Sequence, residues 1–382
     1  MTEIYKNVEE LLLATNPQSP VYCIYPHVYR DSTRHFLQGF PGRVLYAVKA
    51  NNHPAVLKQI YDAGVRNFDC ASLPEIELVS KTCPDSTMYY MNPARLDGHA
   101  RRAQTEHGVR HFVVDHHSGL APLIQEIDPK NSVIFARMAV SHVSAMENLS
   151  AKFGAKPENV PALLMEIFKT GAEPALAFNV GTGVKDPEAY VYSLGIANEA
   201  LSNLPFKVRL LDIGGGFPRP YPGYKVPKLD DYFSHIRSAS AALPLAKNGE
   251  LLAEPGRALS APGLSAVTRV LLRKTDRVYL NDGMYGVFWE LRFKGHRRYP
   301  CRVFRNGLPL VGETRSFRLF GPTCDSSDEL PGRVELPVAI DVGDHIEFGA
   351  IGAYSLSGRT NFNGFYSDNV ISIGDEGARP PQ

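Results

Sequence analysis

From about residue 23 to residue 260, short β-branched or apolar runs alternate with longer stretches of helical spacing, and no other feature restricts the fold as much. VLYAVKA (44–50) reads as a buried strand, and HPAVLKQIYDAG (53–64) as a helix stopped by Gly64. NFDCAS (67–72) is the next strand. PEIELVSKT (74–82) follows as a helix with Pro74 at its start, where the missing N–H has no helical partner to lose. The rhythm continues through HFVVD (111–115), SVIFARMAV (132–140), ALAFNVG (175–181) and KVRLLDIGGG (207–216). Strands separated by helices are joined by crossovers and therefore run parallel. This many units in roughly 240 residues fit a (β/α)₈, TIM-like barrel.

After Pro262 the pattern changes. TRVLLRKTDRVYLNDG, CRVFRNGLPLVG and DHIEFGAIGAY read as strands joined by Gly, Asn and Asp turns, with little helix between them. The expected architecture is α/β: a barrel over 23–261, with 1–22 and 262–382 forming a mostly antiparallel β domain. A chain of 382 residues is long enough for two such cores. With 44% hydrophobic and 21% charged residues it has the profile of a soluble globular protein. A formal net charge of +1 gives no reason to expect a nucleic-acid or membrane-surface partner, and no apolar run is long enough to span a bilayer. The first ten residues lack the basic-then-apolar order of a signal peptide. Cys23, Cys70, Cys83, Cys301 and Cys324 are few, odd in number and without paired metal-ligand spacing. We therefore expect no metal and a reduced, cytoplasmic protein. The tail 377–382 is expected to be loose.

Chemistry concentrates at the ends of strands. Lys49 closes an otherwise apolar run, where a side chain either snorkels to solvent or enters the barrel mouth. A partly buried lysine loses proton affinity and becomes an amine suited to Schiff-base formation, although a solvated strand-end lysine is the commoner case. LLDIGGGFP (210–218) and LLAEPGRALSAPG (251–263) each place glycine directly after an apolar strand. Glycine lets backbone N–H groups approach a phosphate, and the last two strand–helix loops of such barrels often do this. Tight turns use the same glycines, so the pair of loops says more than either alone. Glu254 and Arg257 flank the second loop, either as an ordinary surface pair or with Glu254 as a carboxylate beside a pyridine nitrogen. In GPTCDSSD (321–328), Cys324 reads equally as a general acid or an inert small residue.

Taken together these segments resemble the ornithine/diaminopimelate/arginine decarboxylase group, whose fold matches that of alanine racemase, and most of all its ornithine decarboxylase branch. YAVKANNHPAVL, FDCASLPEIELV, SAKFGA, GTGVKDPEAY, LLDIGGGFP, AEPGR, LNDGMYGVF, GPTCDSSDEL and GAYSLSGRTNFNGF carry the resemblance in the family's order from about residue 44 to 365. It implies pyridoxal 5′-phosphate (PLP) held as a Schiff base by Lys49, with Asp69 and Glu75 in support. Arg137 and Lys152 would line the cofactor side of the barrel. Thr182, Gly214, Gly215, Gly216, Gly256, Arg257 and Tyr354 would hold the phosphate, and Glu254 would face the pyridine nitrogen. Cys324 would be the proton donor and Asp325 the contact to the substrate's far end, both supplied by a partner subunit in a head-to-tail homodimer. Phe362 and Arg292 would complete the substrate side. Glu254 and Cys324 argue against a racemase, which sets an arginine against the pyridine nitrogen.

Two positions depart from the family pattern. Asn179, in FNVGTG, stands where the family has a histidine stacked on the cofactor ring, so an aromatic plane and a titratable nitrogen are lost. Lys294, in VFWELRFKGHRRYP (287–300), stands where the family has an aspartate for the distal ammonium of ornithine. Like charges brought together in a partly dry site repel, so the reversed sign disfavours a free diamine end. Arg292, His296, Arg297 and Arg298 make the same segment basic, although such charge runs are often simply solvated. The expectation is an α-decarboxylase for an ornithine-like substrate whose far end is acylated or bears carboxylates, such as N-citryl-ornithine in carboxylate siderophore assembly. The alternatives are an ordinary ornithine or lysine decarboxylase of polyamine synthesis, and a non-catalytic regulator of the antizyme-inhibitor kind.

Overall fold

The computed structural model describes residues 4–147, 149–293 and 298–382. Eight parallel strands close a barrel: Arg43–Ala47, Asn67–Cys70, Thr87–Tyr90, His111–Val114, Val133–Met138, Glu173–Phe178, Leu210–Asp212 and Glu250–Ala253. The last pairs with the first, Leu252 opposite Arg43, so the sheet has no free edge. Leu45, Tyr89, Val113, Phe135, Ala175, Leu210 and Leu252 fill the interior as a packed core. Residues of opposite parity, such as Val44, Tyr46, Phe68 and Phe112, face the surrounding helices.

The helices begin where the sequence provides a start signal. The helix Leu73–Thr82 starts with Pro in its first turn and with the Ser72 hydroxyl accepting from the N–H of Glu75. Pro54 opens the helix Pro54–Asp62, and Gly64 follows its end at φ +123°. One strand is shorter than expected. The run 44–50 stops being a strand at Ala47, and Val48–Ala50 forms a single 3₁₀ turn that carries Lys49.

The remaining strands form a separate sheet, ordered Ile4–Tyr5, Val370–Ile373, Val21–Ile24, Leu264–Lys274, Arg277–Leu280, Thr314–Phe320 and Val334–Pro337. Cys301–Arg305, Leu308–Pro309 and His345–Phe348 branch from this path. It is mixed: antiparallel for the most part, but Val370–Ile373 runs parallel to both Ile4–Tyr5 and Val21–Ile24, and Arg277–Leu280 runs parallel to Thr314–Phe320. Parallel pairing arises where sequence-distant segments meet without a hairpin. The C-terminal segment is docked rather than loose: the His27 ring bonds the carbonyl of Ala378 at 2.7 Å, and Pro381 packs over Gly349.

The two layers meet at the lysine turn. Asn51 donates to the carbonyl of Gly352 at 2.8 Å, Tyr354 donates its N–H to the carbonyl of Ala50 at 2.6 Å, and the Ser357 hydroxyl donates to the carbonyl of Lys49 at 3.0 Å. The β domain thus holds the chain at Lys49 and over the two residues that follow it.

Candidate active site

The Lys49 ammonium donates to Asp69 at 2.7 Å, while the carboxylate of Asp69 is 1% exposed. Burial alone would lower the proton affinity of Lys49, as expected from the sequence. The carboxylates of Asp69 and Glu254 outweigh it and hold the lysine well above its ordinary range. Asp69 comes from the end of the neighbouring strand, in register with Ala47. Its second carboxylate oxygen is buried without a protein partner. Glu75 stands one helical turn away, accepting from the N–H of Ala71 at 2.6 Å, and burial raises its pKa. It therefore closes the loop after the Asp69 strand rather than bonding to Lys49.

Lys49, Thr182, Arg257 and Tyr354 line a cavity of about 280 Å³, with Trp289 and Glu290 entering it from the β domain. A narrower recess beside it brings Asn179, Gly215, Gly216, Glu254 and Gly256 against the same lysine. Two glycines here are dictated by geometry. Gly214 has φ +71° and a Cβ there would stand 2.5 Å from the carbonyl oxygen of Phe178; Gly216 has φ +95° and its Cβ would stand 2.7 Å from that of Gly181. Tyr354 takes φ +55°, a costly conformation for a side chain of its size. Its ring lies 5.4 Å from the guanidinium carbon of Arg257. Asn179 does not replace the lost aromatic plane: its side-chain oxygen accepts from the N–H of Gly181 at 3.0 Å and braces the turn to Thr182. Arg137 sits on the strand Val133–Met138, close enough to Glu254 to stabilise its anion, with its guanidinium carbon 5.6 Å from the Phe153 ring. The Lys152 ammonium lies 5.0 Å from the centroid of the same ring.

Glu254 is half-buried, and desolvation together with the carboxylates of Asp212 and Asp69 pushes its pKa well up. Asp212, in register with Leu252 on the adjacent strand, was not singled out in the sequence. Burial raises its carboxyl to about 7, while one oxygen accepts from the N–H of Gly214 at 2.8 Å. A carboxyl that prefers its proton in the folded state adds stability below the unfolded carboxylate pKa of about 4 and loses it as pH rises toward 7. The cofactor-free protein should therefore lose a few kcal/mol across that window, and Asp212→Asn should flatten the slope. Chemical denaturation at a series of pH values checks this; an unchanged slope would place the titration elsewhere.

Cys324, Asp325, Phe362 and Arg292 do not reach this cavity. They form a second, exposed cluster on the β domain. The N–H and Sγ of Cys324 lie 3.3 and 3.4 Å from the side-chain oxygen of Asn363. The Tyr285 hydroxyl donates to Asp325 and, with the N–H of Ser327, holds that carboxyl below its usual range. Phe362 stacks on the Tyr285 ring at 4.4 Å, and the Arg292 guanidinium covers it at 4.2 Å. Asp328 ties the two loops together, accepting from the N–H groups of Met284 and Thr323. Lys294, His296 and Arg297 lie outside the described residues.

The residues of the cavity fit a phosphorylated pyridoxal. Glycine backbone that admits no Cβ stands beside an arginine whose Nε–H is buried without a partner among the described residues, and a half-buried carboxyl acts on the lysine. Comparisons with known proteins agree. The family described as pyridoxal-dependent decarboxylase, pyridoxal binding domain, matches residues 28–261. The ornithine decarboxylase of Panagrellus redivivus is 31% identical over 87% of this chain and 80% of its own. Antizyme inhibitor 2 of Xenopus laevis is 30% identical over 88% and 76%. The arginine decarboxylase of Paramecium bursaria Chlorella virus superposes with a TM-score of 0.85 at 28% identity, covering 96% of this chain and 99% of that one. The chain therefore belongs to the PLP-dependent amino-acid decarboxylases.

Proposed function

We propose that the protein removes the α-carboxylate of an ornithine-like amino acid whose far end is acylated or carries carboxylates, N-citryl-ornithine being one example. The observation that carries this reading is the charge of the Cys324–Asp325 cluster. Arg292 covers the Tyr285 ring that holds Asp325, so the anionic end expected to receive an ammonium is partly offset. The sequence adds Lys294 two residues on, where the family has an acid. A substrate carboxylate gains charge-assisted hydrogen bonds from such a surface, while a free ammonium meets repulsion. Carbon dioxide release with free ornithine, free lysine and N-citryl-ornithine tests the reading. We expect turnover to favour the citrylated compound. Equal or better turnover of the free diamino acids would leave Asp325 as the recognition group and make the protein an ordinary ornithine or lysine decarboxylase.

The cofactor, when bound, supplies an electron sink for the bond to the departing carboxylate. The chain's own groups have separate tasks. Asp69 holds the Lys49 ammonium by its ion pair and so orients the amine in the cavity. Glu254 would hold a proton beside the pyridine nitrogen, and Arg257, Tyr354 and the glycine loops would fix the phosphate end. Cys324 is the proton donor to the carbon left by carbon dioxide.

Because Cys324 and Asp325 stand outside the Lys49 cavity of their own chain, we assign them to the site of a second copy in a head-to-tail dimer. Mixing Lys49→Ala with Cys324→Ala subunits should restore about a quarter of wild-type activity, since half the dimers are mixed and each carries one intact site. No recovery on mixing would place both residues in one chain's site.

A further inference from the structure

We propose that Glu290 is a positioning residue for the phosphate end of the cofactor: it clamps one edge of Arg257 and thereby presents the Nε–H to the phosphate. The proposal rests on the PLP reading of the cavity but goes beyond the roles that the motifs imply.

Glu290 lies on the 3₁₀ turn Trp289–Arg292 of the β domain and is 3% exposed. Its carboxylate accepts from both terminal nitrogens of Arg257, at 2.9 Å from Nη1 and closer from Nη2, and from the Tyr299 hydroxyl at 3.0 Å. Nη1 also reaches the Tyr221 hydroxyl at 3.2 Å. Both terminal nitrogens are thus occupied, whereas Nε is buried with no partner among the described residues. A guanidinium presents its donors in a rigid plane, so holding one edge fixes the direction of the other. A buried donor without a partner is costly, which makes the Nε–H a vacancy for an acceptor that the chain does not itself provide. Arg257 begins the short turn Arg257–Ser260 directly after Gly256, beside the Tyr354 ring, so the vacancy sits at the phosphate end of the cavity.

The pair also alters the charge of the site. Arg257 without Glu290 would be a lone buried cation, and the carboxylate offsets that desolvation. The phosphate then meets an arginine selected for direction rather than for bare positive charge. The opposite arrangement is that Glu290 competes with the phosphate for Arg257, and the two make opposite predictions.

The test is equilibrium binding of PLP and of pyridoxal, which lacks the phosphate, to cofactor-stripped full-length protein. Trp289 is the single tryptophan in the chain and lines the same cavity, so its fluorescence reports occupancy without reference to activity. Glu290→Gln should weaken PLP by about tenfold and leave pyridoxal unchanged, the scale of one lost charge-assisted hydrogen bond. Tyr299→Phe, which loosens the carboxylate without touching Arg257, should act in the same direction by about two- to fivefold. Equal weakening of both ligands would show a merely structural role and overturn the proposal. So would unchanged PLP binding, or tighter PLP binding in Glu290→Gln, the latter identifying Glu290 as a competitor. Failure of the wild-type protein to bind PLP would instead remove the cofactor reading itself.

Discussion

Lys49→Ala should abolish the lysine-bound chromophore and lower decarboxylation by roughly four orders of magnitude, the scale of removing a covalent-catalysis group. The Nζ atom is the amine that the fold delivers into the cavity, and its turn is held by backbone bonds from Gly352 and Tyr354 on the β domain. Alanine at 49 also leaves the buried Asp69 carboxylate without its ion-pair partner. Lys49→Arg separates the two effects, because arginine keeps a cation near Asp69 but cannot make the covalent link. We expect Lys49→Arg to fold with near wild-type stability and to be as inactive as Lys49→Ala. Borohydride reduction of the wild-type holoenzyme followed by peptide mass analysis should place the label on Lys49. A label on another lysine, or substantial turnover in Lys49→Arg, would remove Lys49 from its assigned role.

Glu254→Gln should lower turnover by about two to three orders of magnitude while leaving most PLP binding intact. Glu254 is half-buried near Asp212 and Asp69, and this crowding of carboxyls makes its proton easy to keep and costly to lose. With cofactor bound, a carboxylate there would stabilise a protonated pyridine nitrogen, and with it the charge drawn into the ring. Glutamine keeps the shape and hydrogen-bonding capacity but cannot carry the negative charge. The expected signature is therefore a drop in kcat with little change in KM, together with a change in the pH dependence of the bound cofactor's absorbance. A loss confined to KM would mean that Glu254 contributes to binding and not to the chemical step.

The relative named antizyme inhibitor 2 shows that this sequence family extends to proteins whose names do not describe decarboxylation. Lys49, Gly215, Gly216 and Glu254 line one recess, and Asp69 holds the lysine there by its ion pair. Asn179 shows how the departures from the family pattern are absorbed. It has lost the ring but uses its side-chain oxygen to hold the Gly181 backbone, so the turn that places Thr182 survives the substitution.

Much of this was legible in the chain because it is local. The alternating strand and helix patterns, Pro at helix starts and glycine after strands each follow from short-range sterics and hydrogen bonding, and the barrel follows from their order. Lys49, Glu254 and the 214–216 glycines were visible because they interrupt apolar runs at strand ends. Asp212 offered a weaker signal, a lone acid two residues before the glycine run. Glu290 gave almost none: one acid in FWEL looks like a surface residue until residue 257, 33 positions away, is folded against it. The mixed character of the β domain was hidden for the same reason, since Ile4–Tyr5 and Val370–Ile373 come from opposite ends of the chain. The sequence by itself determined the elements and the groups able to do the chemistry, because propensity, periodicity and turn geometry act over a few residues. Only the tertiary structure decided which groups share a cavity and what charge each carries there, because ion pairing and desolvation depend on neighbours in space.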